Sequence, residues 1–306
     1  MQITNTAWAL LIVLSVLWGG SFFFVEVAVS ALPPLTLVWL RVALAAAALL
    51  ALLAITGRRL PLSRPALVAF AGMGVLNNLI PFTLIVSAQT EIASGLASII
   101  NAMTPVSAVL LAHFFTADER LTGLRAAGVA LGILGVTVLI GWEALGGLGA
   151  AVIAQLAVLL ATVSYGVAGL WGRRFRALGI GSVEAAAGQV TASTLLLAIP
   201  AIVIDRPWAI PLPGLEIWAS VIGLALLSTA LAYVLFFRIL AIAGAGNVML
   251  VTLMVPPSAI LLGWLILGER IEAQHLAGLA IIALGLVFLD GRLPRRLAEH
   301  LGRRPA

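Results

Sequence analysis

The residues of this sequence that could do chemistry are few, and most of them stand inside long apolar runs. Adjacent amides at Asn77 and Asn78 are followed one helical turn later by Phe82. Asn101 lies between Ser98 and Pro105, and Ser15, Trp18 and Phe22 recur at i, i+3 and i+7. Each such set shares one face of a helix. Further along come Thr162 with Tyr165, Ser228 and Thr229 with Tyr233, and Thr252. Amides, hydroxyls and aromatic rings can hydrogen-bond to a solute and stack on it. The groups needed to transform a solute are missing. Cysteine is absent, which excludes disulfides, thiolate catalysis and Cys-ligated metals. His113, His275 and His300 lack the close spacing of a metal site, and Asp118, Asp205 and Asp290 all fall at the ends of apolar runs. No catalytic residue, metal or cofactor is expected. Reversible binding is.

The elements that must hold these residues are set by composition. Of 306 residues, 62% are hydrophobic and 9% charged, and mean hydropathy is +1.18. A soluble chain carries about 25% charged residues, because its surface must stay solvated. The chain is therefore expected to be an all-α polytopic membrane protein. A helix needs about 20 apolar residues to cross the hydrocarbon core, and ten such runs can be read: 7–28, 34–55, 65–88, 93–115, 122–140, 149–171, 182–203, 215–238, 245–267 and 273–290. The first has no basic n-region and no small-residue cleavage site after it, so it reads as a retained helix. No long hydrophilic stretch is available for a nucleotide-binding domain, which excludes a pump with its own ATPase. All 17 basic residues are arginine, and they give a formal charge of +5. They flank apolar runs, which points to orientation in a lipid bilayer and not to nucleic acid. With the N-terminus inside, fourteen arginines collect on the cytoplasmic side and only Arg206 and Arg270 outside. That bias places both termini in the cytoplasm.

The chain also repeats itself. Displacement by 150 residues superposes Glu119-Arg120 on Glu269-Arg270, Ala127-Gly128 on Ala277-Gly278 and Gly135 on Gly285. Displacement by 151 superposes Pro105 on Pro256 and Ser107-Ala108 on Ser258-Ala259, and by 147 Trp18-Gly19 on Tyr165-Gly166. Residues 1–141 and 142–292 thus form two five-helix repeats, followed by a basic cytoplasmic tail at 293–306. Five is odd, so the second repeat enters the membrane inverted. Inverted repeats are a hallmark of secondary transporters, whose two halves exchange conformations to open alternately to either side.

Five plus five inverted helices, Trp18-Gly19 in helix 1, Arg41 in helix 2, and the stretches from Pro105 to Glu119-Arg120 and from Pro256 to Glu269-Arg270 resemble the EamA-type branch of the drug/metabolite transporter superfamily. The resemblance covers essentially the whole chain. It implies a ten-helix exporter in a bacterial inner membrane, and in style the chain is most similar to amino-acid exporters of the YddG type. The superfamily also contains exporters of drugs and other metabolites, and no motif separates these from amino-acid exporters. A membrane-embedded enzyme or a scaffold is the distant alternative. The first lacks an acidic cluster at membrane depth, and the second leaves the duplication unexplained.

The displacements also pair the polar residues: Asn77 and Asn78 with Ser228 and Thr229, Phe82 with Tyr233, Asn101 with Thr252, Ser15 and Trp18 with Thr162 and Tyr165. These twelve are the candidate substrate-binding residues, lining a central cavity walled by helices 1, 3, 4, 6, 8 and 9, with helices 2 and 7 supporting and gating it. The bland alternative is that they hydrogen-bond packed helices together, for about 0.6–2 kcal/mol each. With no carboxylate at mid-depth, such a cavity suits a neutral or zwitterionic solute. Glu26 and Arg41 are read as a mutual pair, either structural or an extracellular gate, with contact to a substrate carboxylate as the other role for Arg41. His113 near a helix end is read as interfacial. The two Glu-Arg pairs are read as bracing their own hairpins. Gly128-x-x-x-Gly132 is read as a close helix contact within one chain or in a homodimer, so the protein is expected to be a monomer or homodimer.

Overall fold

The computed structural model describes residues 4–116, 120–141, 149–243, 248 and 250–290. Among them, ten apolar helices follow one another: α1 (Asn5–Val29), α2 (Pro34–Ile55), α3 (Arg64–Ala88), α4 (Ser94–Phe115), α5 (Gly123–Ile140), α6 (Ala150–Ala177), α7 (Ser182–Asp205), α8 (Leu215–Ala243), α9 (Val251–Leu267) and α10 (Ala273–Asp290). All but α9 are long enough to cross a membrane. Their starts follow local chemistry. Thr4 accepts a hydrogen bond from the Ala7 N–H at 3.3 Å to cap α1, and Pro34 and Pro65 open α2 and α3 where a missing N–H costs nothing. Two helices run further than expected: α6 continues to Ala177, and α8 carries Arg238 inside its last turns. Glu119 and the tail at 293–306 lie outside the described residues.

Two pairs of repeat-equivalent helices, α5/α10 and α2/α7, pack antiparallel, as inversion requires, and a third, α3/α8, meets through polar side chains. In the α5/α10 pair, Gly128 lies against Gly285 and Gly135 against Gly278, so the close contacts run in opposite senses. A methyl on Gly128 would sit 2.7 Å from the Gly285 carbonyl oxygen, so only glycine permits this approach. The Gly128-x-x-x-Gly132 stripe is thus used inside one chain, with Gly132 facing Val106 and Met103 of α4. In the α2/α7 pair, Thr36 meets Asp205 at one end and Arg58 meets Glu184 at the other. In the α3/α8 pair, Asn78 meets Tyr233. The remaining contacts respect the same exchange: α1 packs on α9 as α6 packs on α4, and α1 packs on α8 as α6 packs on α3.

The displaced sequence matches meet as equivalent contacts. Ser258 on α9 donates to the Ser15 carbonyl on α1 at 2.8 Å and fills the space beside Gly19. Its counterpart Ser107 on α4 lies 2.7 Å from the Thr162 hydroxyl on α6, where Gly166 faces Ala108.

Regular helix gives way to π-helical turns in α3, α7, α8 and α9, and those of α3 and α8 carry the polar residues. Residues Val75–Leu79 of α3 and Leu226–Leu231 of α8 form π-helical turns, at equivalent places in the two repeats. Such turns mark functional positions frequently, because the wider turn leaves backbone groups to be satisfied from outside. In α3 the cause is Pro81, which has no N–H to give; the Leu76 carbonyl accepts instead from the Ser164 hydroxyl of α6 at 2.7 Å. In α8 the Thr229 hydroxyl donates to the Leu224 carbonyl at 2.8 Å. In α4 a turn at Ala102 and Met103 precedes Pro105, and the Asn101 carbonyl accepts from Thr104 Oγ1 at 2.8 Å.

Candidate functional site

The two π turns put their polar side chains against each other. Tyr233 donates its hydroxyl proton to Asn78 Oδ1 at 2.7 Å and accepts from Asn77 Nδ2 at 3.0 Å. Asn78 Nδ2 in turn donates to Ser193 Oγ at 3.0 Å. The Ser193 hydroxyl lies 2.8 Å from the Gln189 carbonyl and 3.0 Å from the Gly74 carbonyl. Asn77 Nδ2 also lies 3.1 Å from Gln189 Oε1. Donors and acceptors alternate along the row Asn77, Tyr233, Asn78, Ser193, so each bond polarises the next. A second layer lies one turn away. Arg41 of α2 donates from Nε to Thr229 Oγ1 at 2.9 Å, and its guanidinium covers the Phe82 ring at 3.6 Å from the centroid. Thr229 can accept because its own proton is committed to Leu224.

Six residues named from sequence are therefore brought together: Arg41, Asn77, Asn78, Phe82, Thr229 and Tyr233. Trp18 and Tyr165 are only partly buried, though both pack against the interior. Trp18 lies 5.7 Å from the ring of Phe236 on α8, and Tyr165 touches two of the buried apolar clusters. Asn101 Oδ1 and Ser228 Oγ are enclosed and lack a partner among the described residues. Thr252 on α9 is partly buried and has a partner of its own. Ser15 and Thr162 sit in helix packing. Ser15 donates to its own Ile12 carbonyl at 2.8 Å, and Thr162 bonds Ser107.

Two expectations need correction. Glu26 and Arg41 do not pair. Glu26 Oε2 accepts from Gln89 Nε2 at 2.9 Å near the end of α3, while Arg41 is turned toward α8, where Thr229 supplies the nearer acceptor. Helices 2 and 7 also do more than support the others: α2 contributes Arg41 to the cluster and α7 contributes Gln189 and Ser193. The signal for the latter pair was available, since Gln189 and Ser193 stand at i and i+4 and so share a face of α7.

Glu269 corrects a third. It lies against Gly263 of its own hairpin but also reaches beyond it: its two carboxylate oxygens accept from the Ser94 and Gly95 N–H groups, at 2.9 and 3.1 Å, at the start of α4 in the other repeat. Asp205 does the same for α2, accepting from the Thr36 N–H at 2.7 Å. A carboxylate at a helix N-terminus satisfies orphan donors and opposes the helix dipole. Glu269→Gln keeps the shape but removes the charge, and is expected to cost about 1–2 kcal/mol. A lower unfolding temperature of the purified protein in detergent checks this; an unchanged one refutes it.

Ten apolar helices among the described residues meet at a buried polar cluster of amides, hydroxyls, one arginine and aromatic rings, an arrangement suited to binding a solute within a membrane. The sequence profile of the EamA-like transporter family matches residues 6–141 and again 152–289, and the chain belongs to that family. It is 24% identical to the "uncharacterized transporter YoaV" of Bacillus subtilis (strain 168) over 94% of this chain and 97% of that one. It is 26% identical to a "probable amino-acid metabolite efflux pump" of Escherichia coli (strain K12), over 96% and 97%. With a "probable terminal-alkyne amino-acid exporter" of Streptantibioticus cattleyicolor it shares 28% identity over 99% and 100%. A solved structure, titled only as a crystal structure of a protein, superposes with a TM-score of 0.67 at 23% identity, over 95% of this chain and 99% of the other. That likeness bears on the fold alone.

Proposed function

We propose that the chain is a secondary transporter that exports small neutral or zwitterionic solutes, foremost amino acids with aromatic or apolar side chains, by alternating access at the α3/α8 polar cluster. The observation that carries this reading is the pairing of two π turns whose amide and hydroxyl groups meet beside partly exposed aromatic rings. Amides and hydroxyls match the polar end of such a solute, and Trp18, Tyr165 and Phe236 offer apolar surface to varied side chains. Two relatives named as amino-acid efflux proteins support the substrate class. The arginine distribution supports both termini in the cytoplasm, and the bacterial relatives support a bacterial inner membrane.

Uptake of a labelled amino-acid panel into liposomes containing the purified chain tests the reading. Saturable uptake of several neutral amino acids, absent from empty liposomes, is expected. No uptake of any amino acid, with uptake of cationic drugs instead, would move the substrate class to drugs and leave the fold as described.

A further inference from the structure

We propose that Arg41 is the receptor for a carboxylate group of the solute, so that the site selects monocarboxylates. The proposal rests on the reading of the polar cluster as the transport site. Arg41 stands about two turns into α2 and is only 7% exposed. A charge at such a place in a membrane helix is costly unless it is paired. Its Nε–H is held by Thr229 and one face by the Phe82 ring. Those contacts fix the plane of the guanidinium and leave its two terminal nitrogens without a hydrogen bond or a counter-ion among the described residues.

The carboxylates that could have served are committed elsewhere, Glu26 to Gln89 and Asp205 to Thr36. Nor are the terminal nitrogens sealed by packing. The enclosed polar atoms that lack a partner belong to other residues, such as Asn101 and Ser228. Tyr233 stands one helical turn beyond Thr229, on the face of α8 that Arg41 meets, and both Tyr165 and Tyr233 are partly exposed.

A planar, fixed fork of N–H donors with no internal acceptor is complementary to one carboxylate, which it can hold through two parallel charge-assisted bonds. The partner for an ammonium group stands nearby. Asn77 donates from Nδ2 to Tyr233, the same tyrosine that neighbours Arg41, while its Oδ1 makes no hydrogen bond among the described residues and is not enclosed. A zwitterion laid across Tyr233 thus meets a cation at one end and an amide oxygen at the other. A single cation, with no second one beside it among the described residues, disfavours dicarboxylates and phosphates.

The test uses the full chain in lipid nanodiscs, with benzoate as the probe and benzylamine and benzamide as controls, read as protection against thermal unfolding. Benzoate is expected to protect the wild type and the two controls are not. Arg41→Gln should weaken benzoate binding at least tenfold, and Arg41→Lys, which keeps the charge but loses the fork, should weaken it less. Equal protection by benzoate and benzamide, or unchanged benzoate binding in Arg41→Gln, would overturn the proposal. Should Arg41→Gln fail to fold, Thr229→Val decides. It frees the guanidinium from its anchor and must weaken benzoate binding by several-fold; full-strength binding would count against the proposal. The two readings also separate. Arg41-dependent benzoate binding without amino-acid uptake would retain the receptor and reject the transport substrate, whereas normal amino-acid uptake by Arg41→Gln would do the reverse.

Discussion

Asn78→Leu is expected to lower amino-acid transport at least tenfold while leaving the helical fold intact. Leucine keeps the branching of asparagine but adds bulk at a fully buried position, so Tyr233→Phe, which only removes an oxygen, isolates the polar effect. Asn78→Leu removes the acceptor for the Tyr233 hydroxyl and the donor to Ser193, and so breaks the row in the middle. Each buried polar group left without its partner costs about 1–3 kcal/mol, and about 1.4 kcal/mol is a factor of ten in binding. Tyr233→Phe cuts the same bond from the other side. Because the two residues share that bond, the double variant should be little worse than either single one. Ser15→Ala is the contrasting control. Its hydroxyl only returns to the Ile12 carbonyl, so transport should stay within about twofold of wild type, in keeping with the small worth of such bonds. Initial rates in proteoliposomes, with helicity by circular dichroism, check all four.

Gly128→Leu is expected to have the largest effect on folding. The α5/α10 contact brings backbone against backbone, and a side chain at Gly128 would meet the Gly285 carbonyl and the Leu289 backbone within 3 Å. Overpacking in a core ordinarily costs about 1–3 kcal/mol because side chains can give way. Here the obstacle is main chain, so the helices must separate along their length. Gly123→Leu, on the same helix with nothing within 4 Å, should be tolerated. The yield and unfolding temperature of the monodisperse protein in detergent distinguish them. Equal yields would mean that α5 and α10 do not pack against each other through their glycines.

How much of this was legible in the sequence depends on the residue. Long apolar runs fix helix number, because only length and hydropathy are needed. The displaced matches fixed the repeat, since Gly19, Gly166, Ser107 and Ser258 are held by contacts that recur in both halves. The meeting of Asn78 with Tyr233 was half legible, as the displacements set both residues in equivalent helices but gave no partner.

The pairing of Arg41 with Glu26 was misread because a buried cation suggests the nearest acid, and sequence carries no information on the rotation of α2 about its axis. That rotation aims the guanidinium at α8. Gln189 and Ser193 share a helical face at i and i+4, but the rotation that turns this face toward α3 is likewise absent from the sequence. Ser15 and Thr162 share helical faces with Trp18 and Tyr165, yet a face is wide enough to carry one residue into packing and another toward open space. The π turns add to the difficulty. One extra residue rotates the rest of the helix by roughly 100°, and Pro81 signals this in α3 while nothing comparable does in α8.

The absence of native cysteine permits a direct test of alternating access at this site. Tyr165→Cys places a thiol beside the cluster without removing any hydrogen bond of the Asn77-to-Ser193 row. In oriented vesicles, a membrane-impermeant thiol reagent supplied from either side should label it, and a transported amino acid should slow both reactions. Labelling from one side only, unaffected by any solute, would contradict the account.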